Sequence, residues 1–362
     1  VGVILSLSGA FADSSEQIQN GLRLYMKEHG DTVAGTRVEV LMRDDGGDAA
    51  AARRLAQDLV LREKVDVLTG FLLTPSALAA APVATQSKTP MILMNAQGTA
   101  ITRRSPYLVR VSETVGQATG PLGLWAARHG IENAYILVSD YAPGHDSETS
   151  FTKAFTEAGG KIIGAVHVAP DAVDFAPYVQ KIVDYHPQAI FVFVTKGEGL
   201  LKAFVDVGVA RAGIKVIGSG EMTDDRMLER MGDPAIGLIT AHHYSFAHDS
   251  PLNRTFTADY VATYGADSRP GFLAVGGYDG MAAIYTVIEK LGGKFDRAKA
   301  MEILSRLHLD SPRGPIDIDP ETRDVVQDIY LRRVERRDGQ LVNAEFDKIP
   351  HVKDMLAAQA GN

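Results

Sequence analysis

The stretch VGVILSLSGAF, Val1 to Phe11, decides the fold: an apolar run of strand length, closed by the small-residue turn Ser8-Gly9-Ala10-Phe11 and followed at once by a helical pattern. In Ser14–His29, Ile18, Leu22, Tyr25 and Met26 recur at i, i+4, i+7 and i+8, while Glu16, Arg23 and Lys27 take the other faces. That is a surface helix packing on a sheet. Outward from it the alternation continues, with strands expected at Val38–Met42, Val65–Thr69 and Met91–Met94 and a helix at Ala49–Lys64 through Ala52, Leu55 and Leu59. A second run repeats the scheme with strands at Ala134–Val138, Lys161–Val168, Ala189–Val194, Lys215–Ile217 and Gly237–Thr240. Its helix Gly197–Val207 is marked by Leu200, Phe204 and Val207. Each helix lies between two strands, as βαβ crossovers require, so an α/β chain of two doubly wound parallel-sheet lobes is expected. Ligands of open parallel sheets sit outside the carboxyl ends of the strands, and two such sheets facing each other make a cleft.

With 362 residues the chain exceeds what one hydrophobic core usually supports, and 45% hydrophobic with 23% charged residues is ordinary for a globular protein. The net charge is −8, and no Lys/Arg run exceeds pairs such as Arg332-Arg333 and Arg336-Arg337, which argues against a nucleic-acid partner or a polybasic membrane contact. With no cysteine, disulfides, thiolate metal sites and cysteine nucleophiles fall away. Apolar runs are of strand length, too short to span a bilayer. Residue 1 already lies in a strand pattern and is not Met, so a trimmed N-terminus and export are expectations.

The lobes lack a low-complexity tether. Crossings are expected near Val111–Thr114, after the strand Tyr107–Arg110, and near His242–Phe246. Helical patterns follow at Asn253–Thr263, Ala274–Lys290 and Arg297–Leu307, then Ser311–Asp319 and a strand Val325–Val334 that crosses again. Residues 1–112 with 246–324 would form the N-terminal lobe, and 113–245 with 325–362 the C-terminal lobe. Multiple crossings make a hinge.

The strand ends carry the functional argument. After the third strand, Thr74 is placed as N-cap and Pro75 at the first helical position, so the amides from Ser76 onward face an environment that welcomes a carboxylate. Asn95-Ala96-Gln97-Gly98-Thr99 follows the fourth strand, with Gly98 allowing close backbone approach. The second lobe offers Asp140 to Gly144, Thr195 to Glu198 and Gly218 to Glu221. In these, Tyr141 supplies a flat wall and a hydroxyl, Glu221 an acceptor and Lys196 a cation, each set against ordinary turn and helix-start chemistry. Phe11, Phe71, Tyr141 and Phe272 are candidate aromatic walls. His242-His243 resembles ligand material, but neighbours on a strand point to opposite faces, so a structural role is preferred and no metal site is expected. Nucleophile elbows, Walker loops and a dinucleotide fingerprint are missing. Asp44-Asp45 reads as a capped loop of two solvated acids.

Taken in order, Leu5 to Ala12, Arg43-Asp44-Asp45, Asp140 to Gly144, Gly276-Gly277-Tyr278-Asp279 and Ser311-Pro312-Arg313-Gly314-Pro315 resemble the periplasmic solute-binding proteins of ABC importers. Within these the resemblance is to the branched-chain amino-acid type, with its relatives for aromatic acids, amides and urea. It implies a type I periplasmic-binding-protein fold with a three-crossing hinge, closing on a small carboxylate solute. It also implies an exported, periplasmic, monomeric receptor that meets membrane permease subunits, uses no cofactor and is not an enzyme. Thr74 would take the place of the family's carboxylate-binding hydroxyl, beside the backbone of Gln97 and Gly98 and the hydroxyl of Thr99. Tyr141 and Glu221 would line the site from the other lobe, with Phe11, Ser14 and Phe272 near the side-chain pocket. The family's amine-binding acid falls on Gly220 or on Glu221, according to register. A buried unpaired ammonium is costly. The Val-Phe-Val strand before Thr195 is similar to the aromatic-acid branch, so an aromatic or aliphatic carboxylate is expected ahead of a branched-chain amino acid. A cytoplasmic sensor of the same fold, or an α/β enzyme, are the alternatives.

Overall fold

The computed structural model describes residues 1–99, 101–170, 172–194, 197–354 and 356, with only the backbone at 197 and 198. The chain divides into two compact units, Val1–Thr114 with Asp249–Gln327 and Val115–His248 with Asp328–Asn362, and so passes from one to the other three times.

In the first unit five parallel strands stand in the order Leu41–Asp44, Gly2–Leu5, Leu68–Gly70, Met91–Leu93, Leu108–Arg110. The chain order reverses between Gly2–Leu5 and Leu68–Gly70, and such a switch point opens a crevice at the strands' carboxyl ends. The loops that begin at Ser6 and at Phe71 therefore flank it. Alternate residues serve the two faces: Val3 and Leu5 join Ile18, Leu22 and Met281 of helices Ala12–His29 and Phe272–Lys290. Ile4 joins Ala52, Leu59 and Ala80 of helices Ala49–Leu61 and Thr74–Ser87 on the other face. The first pair of helices touches backbone to backbone, since a Cβ at Gly21 would lie 1.8 Å from the Ala274 carbonyl oxygen and one at Gly277 2.0 Å from that of Ile18. Two strands start later than expected. A hairpin of Thr32–Val33 with Thr36–Arg37, closed by the Val38 N–H donating to Asp31 O, delays the second strand to Leu41. The tail of helix Ala49–Leu61, where Val65 N–H donates to Leu59 O, delays the third to Leu68.

The second unit repeats the topology. Its parallel strands run Lys161–Val168, Asn133–Ser139, Ala189–Phe193, Lys215–Ser219, Ile239–His242, with the switch point between Asn133–Ser139 and Ala189–Phe193. Tyr135, Leu137 and Val192 pack under helices Ala176–Asp184 and Gly197–Val207. Ile136, Val138 and Phe191 face helices Val115–Arg128 and Ala142–Glu157, with Phe191 stacked on Phe151 at 4.0 Å between ring centroids. Val325–Arg337 extends the sheet, pairing antiparallel with Ile239–His242; Ile316–Ile318 pairs antiparallel with its start, and Gln340–Val352 pairs with Val325–Arg337 in turn. That last strand was not anticipated. Among the described residues no helix is long and apolar enough to cross a membrane.

Candidate functional site

In the first unit the loops at the strand ends are held by their own hydrogen bonds. Asp44 accepts from the N–H groups of Leu7 and Gly46, both at 2.8 Å. The Ser8 hydroxyl first and these amides after it hold the Asp44 carboxyl below the usual range. Asp45 is not the solvated acid expected: it is buried, taking the Ser6 hydroxyl at 2.7 Å and the Gly47 N–H at 2.8 Å, because the turn folds over it. Across the switch point Phe71 is fully buried with φ +59°, a left-handed conformation that a bulky residue rarely adopts. It belongs to the core with Ile4 and Met91 and is not a wall of the site.

Thr74 is not the N-cap. The helix starts at Thr74 itself, with Leu73 extended before it and no side chain capping, so Pro75 is its second residue. The Thr74 hydroxyl is engaged elsewhere: it accepts the Gly98 N–H at 3.1 Å and keeps its own proton to donate. The approach is close enough that a Cβ on Gly98 would lie 2.7 Å from Thr74 Cγ2. The rest of this loop is fixed as firmly. Asn95 donates to Leu72 O at 2.7 Å, Ser112 to Asn95 O at 2.8 Å, and buried Arg110 to Gly98 O at 2.6 Å while facing Asp324 at 3.4 Å. Gln97 reaches Glu113 through its side chain at 3.4 Å, and Thr99 is buried. Phe11 and Phe272 both edge the same core and remain half-buried, as does Ser14 in the first turn of its helix.

In the second unit Tyr141 caps the helix Ala142–Glu157 in extended conformation, and Gly144 lets that helix sit on the strand end, where a Cβ would meet Ser139 O at 1.9 Å. Burial, reinforced by the nearby Glu221 carboxylate, pushes the Tyr141 phenol well above its ordinary range, so it stays neutral. Its ring stacks at 6.2 Å on Phe193. Position 220 admits no side chain, because a Cβ would lie 1.7 Å from His242 Cδ2 and 2.4 Å from Arg332 Nη2. The acid of this turn is Glu221, which accepts from the Ser219 hydroxyl and lies 3.9 Å from His242 Nε2. Lys196 lies outside the described residues. The two histidines do not splay as expected: the strand ends at His242, the His243 N–H donates to His242 Nδ1 at 3.0 Å, and the rings stand 4.5 Å apart.

Three residues of these loops have environments that the sequence reading does not announce. Ser76, in the first turn after Thr74, is fully buried and its hydroxyl has no hydrogen-bond partner among the described residues. Arg110 and Asp45 are buried charges at strand ends; for Arg110 the charge closing the apolar run Leu108-Val109 was the signal in the sequence, while Asp45 follows Arg43 and Asp44 and had none.

The sequence matches the periplasmic binding protein family over residues 1–340. A Leu/Ile/Val-binding protein homolog of Brucella abortus is 41% identical over 351 residues, covering 96% of this chain and 90% of that protein. Among solved structures, the solute-binding protein of an ABC transporter from Rhodopseudomonas palustris BisB5, in complex with 3,4-dihydroxybenzoic acid, is 47% identical with a TM-score of 0.94, over 98% of each chain. One from strain HaA2, in complex with p-hydroxybenzoic acid, is 37% identical with a TM-score of 0.95, over 99% of this chain and 98% of that one. With two parallel sheets of one topology and these matches along its length, the chain belongs to the periplasmic binding proteins and has their type I fold.

Proposed function

We propose that this chain is the extracytoplasmic solute-binding receptor of an ABC importer and that its solute is a hydroxybenzoate-type aromatic carboxylate, released unchanged to permease subunits by a monomer. The observation that carries the reading is the near full-length similarity to two receptors solved with hydroxybenzoates. The loop chemistry agrees with it. In the first unit the Thr74 proton, the unpartnered Ser76 hydroxyl and the open amides of one helix start form a donor set suited to a carboxylate. Gln97, Gly98 and Thr99 border it, and Phe11, Ser14 and Phe272 offer walls for a ring. In the second unit neutral Tyr141 and the Glu221 carboxylate suit the other end of such a solute, as donor and as acceptor for a phenol hydroxyl. Lys196 remains a candidate of the same loop group. On this reading the two units, moving about the three chain passages, close because only the closed state lets the solute touch both.

A branched-chain amino acid is the second reading, favoured by the Brucella relative. It would ask Glu221 to pair with the ammonium. Titration calorimetry with 4-hydroxybenzoate, 3,4-dihydroxybenzoate, benzoate and leucine separates the two. Saturable binding of hydroxybenzoates at micromolar or lower concentration, with leucine silent, is expected. Binding of leucine alone refutes the aromatic reading, and chemical conversion of any bound compound refutes the receptor.

A further inference from the structure

We propose that His145, Glu148 and His167 form a surface site for a divalent transition-metal cation of the zinc class. His145 and Glu148 stand one turn apart on the helix Ala142–Glu157, where i and i+3 share a face, and His167 meets them from the strand Lys161–Val168. One ligand atom from each lies within 4.8 Å of the other two. His167 Nε2 is 2.6 Å from Glu148 Oε2, and the two imidazoles are 5.2 Å apart with their planes tilted by 51°.

Two imidazoles and one carboxylate are a donor set suited to Zn²⁺, and tetrahedral bonds of about 2.0–2.1 Å bring ligand atoms to roughly 3.4 Å from each other. From the present spacing the adjustment is of the order of 1 Å. The side chains can make it, because His145 is 50% exposed and His167 39% exposed, and the same exposure gives an ion access and leaves a coordination position for water. Asp140 lies 2.9 Å from His145 Nε2 and positions that ring from outside the ligand set, as carboxylates do behind metal-bound histidines. The ligands come from separate elements whose ends are already joined, since the Asp140 N–H donates to Val168 O at 2.7 Å. A bound cation would therefore clamp the first turns of the helix Ala142–Glu157 to the end of the neighbouring strand.

The inference does not depend on which solute the protein binds, and its test uses no solute. The whole chain, freed of metal by a chelator and dialysed, is titrated with zinc chloride in a calorimeter. Expected is saturable binding at micromolar concentration. Its dissociation constant should rise at least about 10-fold in His145→Ala and in His167→Ala and about 10-fold in Asp140→Asn, with the heat of this event lost in the double histidine variant. Unchanged far-UV circular dichroism and urea midpoint in chelator show that the variants are folded, as their exposure predicts. Wild-type protein that fails to saturate below about 1 mM zinc, or a double variant that binds like wild type, overturns the site.

Discussion

Gly98→Ala is the substitution whose outcome the structure specifies most closely. The backbone of Gly98 is not left-handed, so alanine meets no torsional obstacle there. What it meets is Thr74: the added Cβ would lie 2.7 Å from Cγ2 and 3.1 Å from Oγ1. Ordinary contact begins near 3.4 Å, so loop and helix must part by roughly 0.7 Å or more, an overpacking that costs about 2 kcal/mol. For a unit of this size that lowers the melting temperature by about 4–8 °C. The same displacement stretches the Gly98 N–H to Thr74 bond that orients the hydroxyl. Solute affinity should then fall by about 1–3 kcal/mol, or about 5- to 150-fold. The companion change Thr74→Ser removes Cγ2 and keeps the oxygen. In that background Gly98→Ala should cost about 1 kcal/mol less, a coupling that a double-mutant cycle by urea denaturation and calorimetry resolves. Additive effects would mean that Cγ2 is not the obstacle and would refute the placement of loop 95–99 against Thr74.

Other outcomes follow from the same geometry. Thr74→Ala should weaken binding of the proposed hydroxybenzoate by about 1–3 kcal/mol and, by leaving the buried Gly98 N–H without its acceptor, should also cost about 1–3 kcal/mol of stability; undiminished affinity in calorimetry would remove Thr74 from the site. Gly220→Ala should fail to fold or should lower the unfolding midpoint severely, because its Cβ meets His242 and Arg332 inside a fixed network; a soluble variant of wild-type midpoint contradicts that arrangement. Tyr141→Phe should bind more weakly than wild type, and the tyrosinate absorbance difference between the two should stay absent up to about pH 11, since the phenol is held neutral; a difference growing in near pH 10 would show an ordinary, unshifted phenol. Asp279 is buried against Arg313 at 3.0 Å, and burial pushes its carboxyl up to about 6, from 3.8. Because the native state then holds a proton that the unfolded chain has released, this group's contribution to stability grows as pH falls through 6 towards 4. The stability difference between wild type and Asp279→Asn should widen in favour of wild type by about 1 kcal/mol from about pH 7.5 to about pH 5, and an invariant difference refutes the shift.

The doubled βαβ order was legible because strands of a covered parallel sheet are short apolar runs between turns, and Ile136, Val138 and Phe191 are buried as that pattern demands. What escaped has physical reasons. Helix Val115–Arg128 carries Pro121 and three glycines and is buried over most of its surface, so it shows no amphipathic stripe. The strand Gln340–Val352 was missed although its signal was present: Asp338-Gly339, both at positive φ, is the two-residue turn that folds a strand back on itself. The candidate site residues were legible as loop positions and not as bonds. Nothing in the sequence says that the Thr74 oxygen faces Gly98 rather than its own helix, or that Asp45 turns inward to Ser6. Those facts are set by contacts between segments dozens of residues apart.

The buried guanidiniums explain why the site loops are fixed before any solute arrives. A buried ion pair is weak evidence of stability, since a well-packed apolar substitute is often as good. Here each arginine also donates to backbone carbonyls of the loops: Arg110 to Gly98 O, Arg313 to Val111 O, and Arg332 to Gly220 O and Tyr244 O. Leucine or methionine in these places could fill the volume but could donate nothing to those oxygens, and losing a hydrogen bond from a charged donor costs about 1.5–3 kcal/mol. The aspartates follow from the arginines: Asp324, Asp279 and Asp225 neutralise cations whose first task is to hold loops. All three arrangements lie within single units, and Arg110, Arg313 and Arg332 grip segments just before or just after the points where the chain leaves its unit. At least one side of each passage is thereby anchored in its own unit: Val111 at the first, Tyr244 at the second, Asp324 and Arg332 at the third. Under the proposed function, torsional freedom for closing on a solute then lies beyond these anchors, and the candidate groups Thr74 and Glu221, each bonded within its own unit, move with that unit.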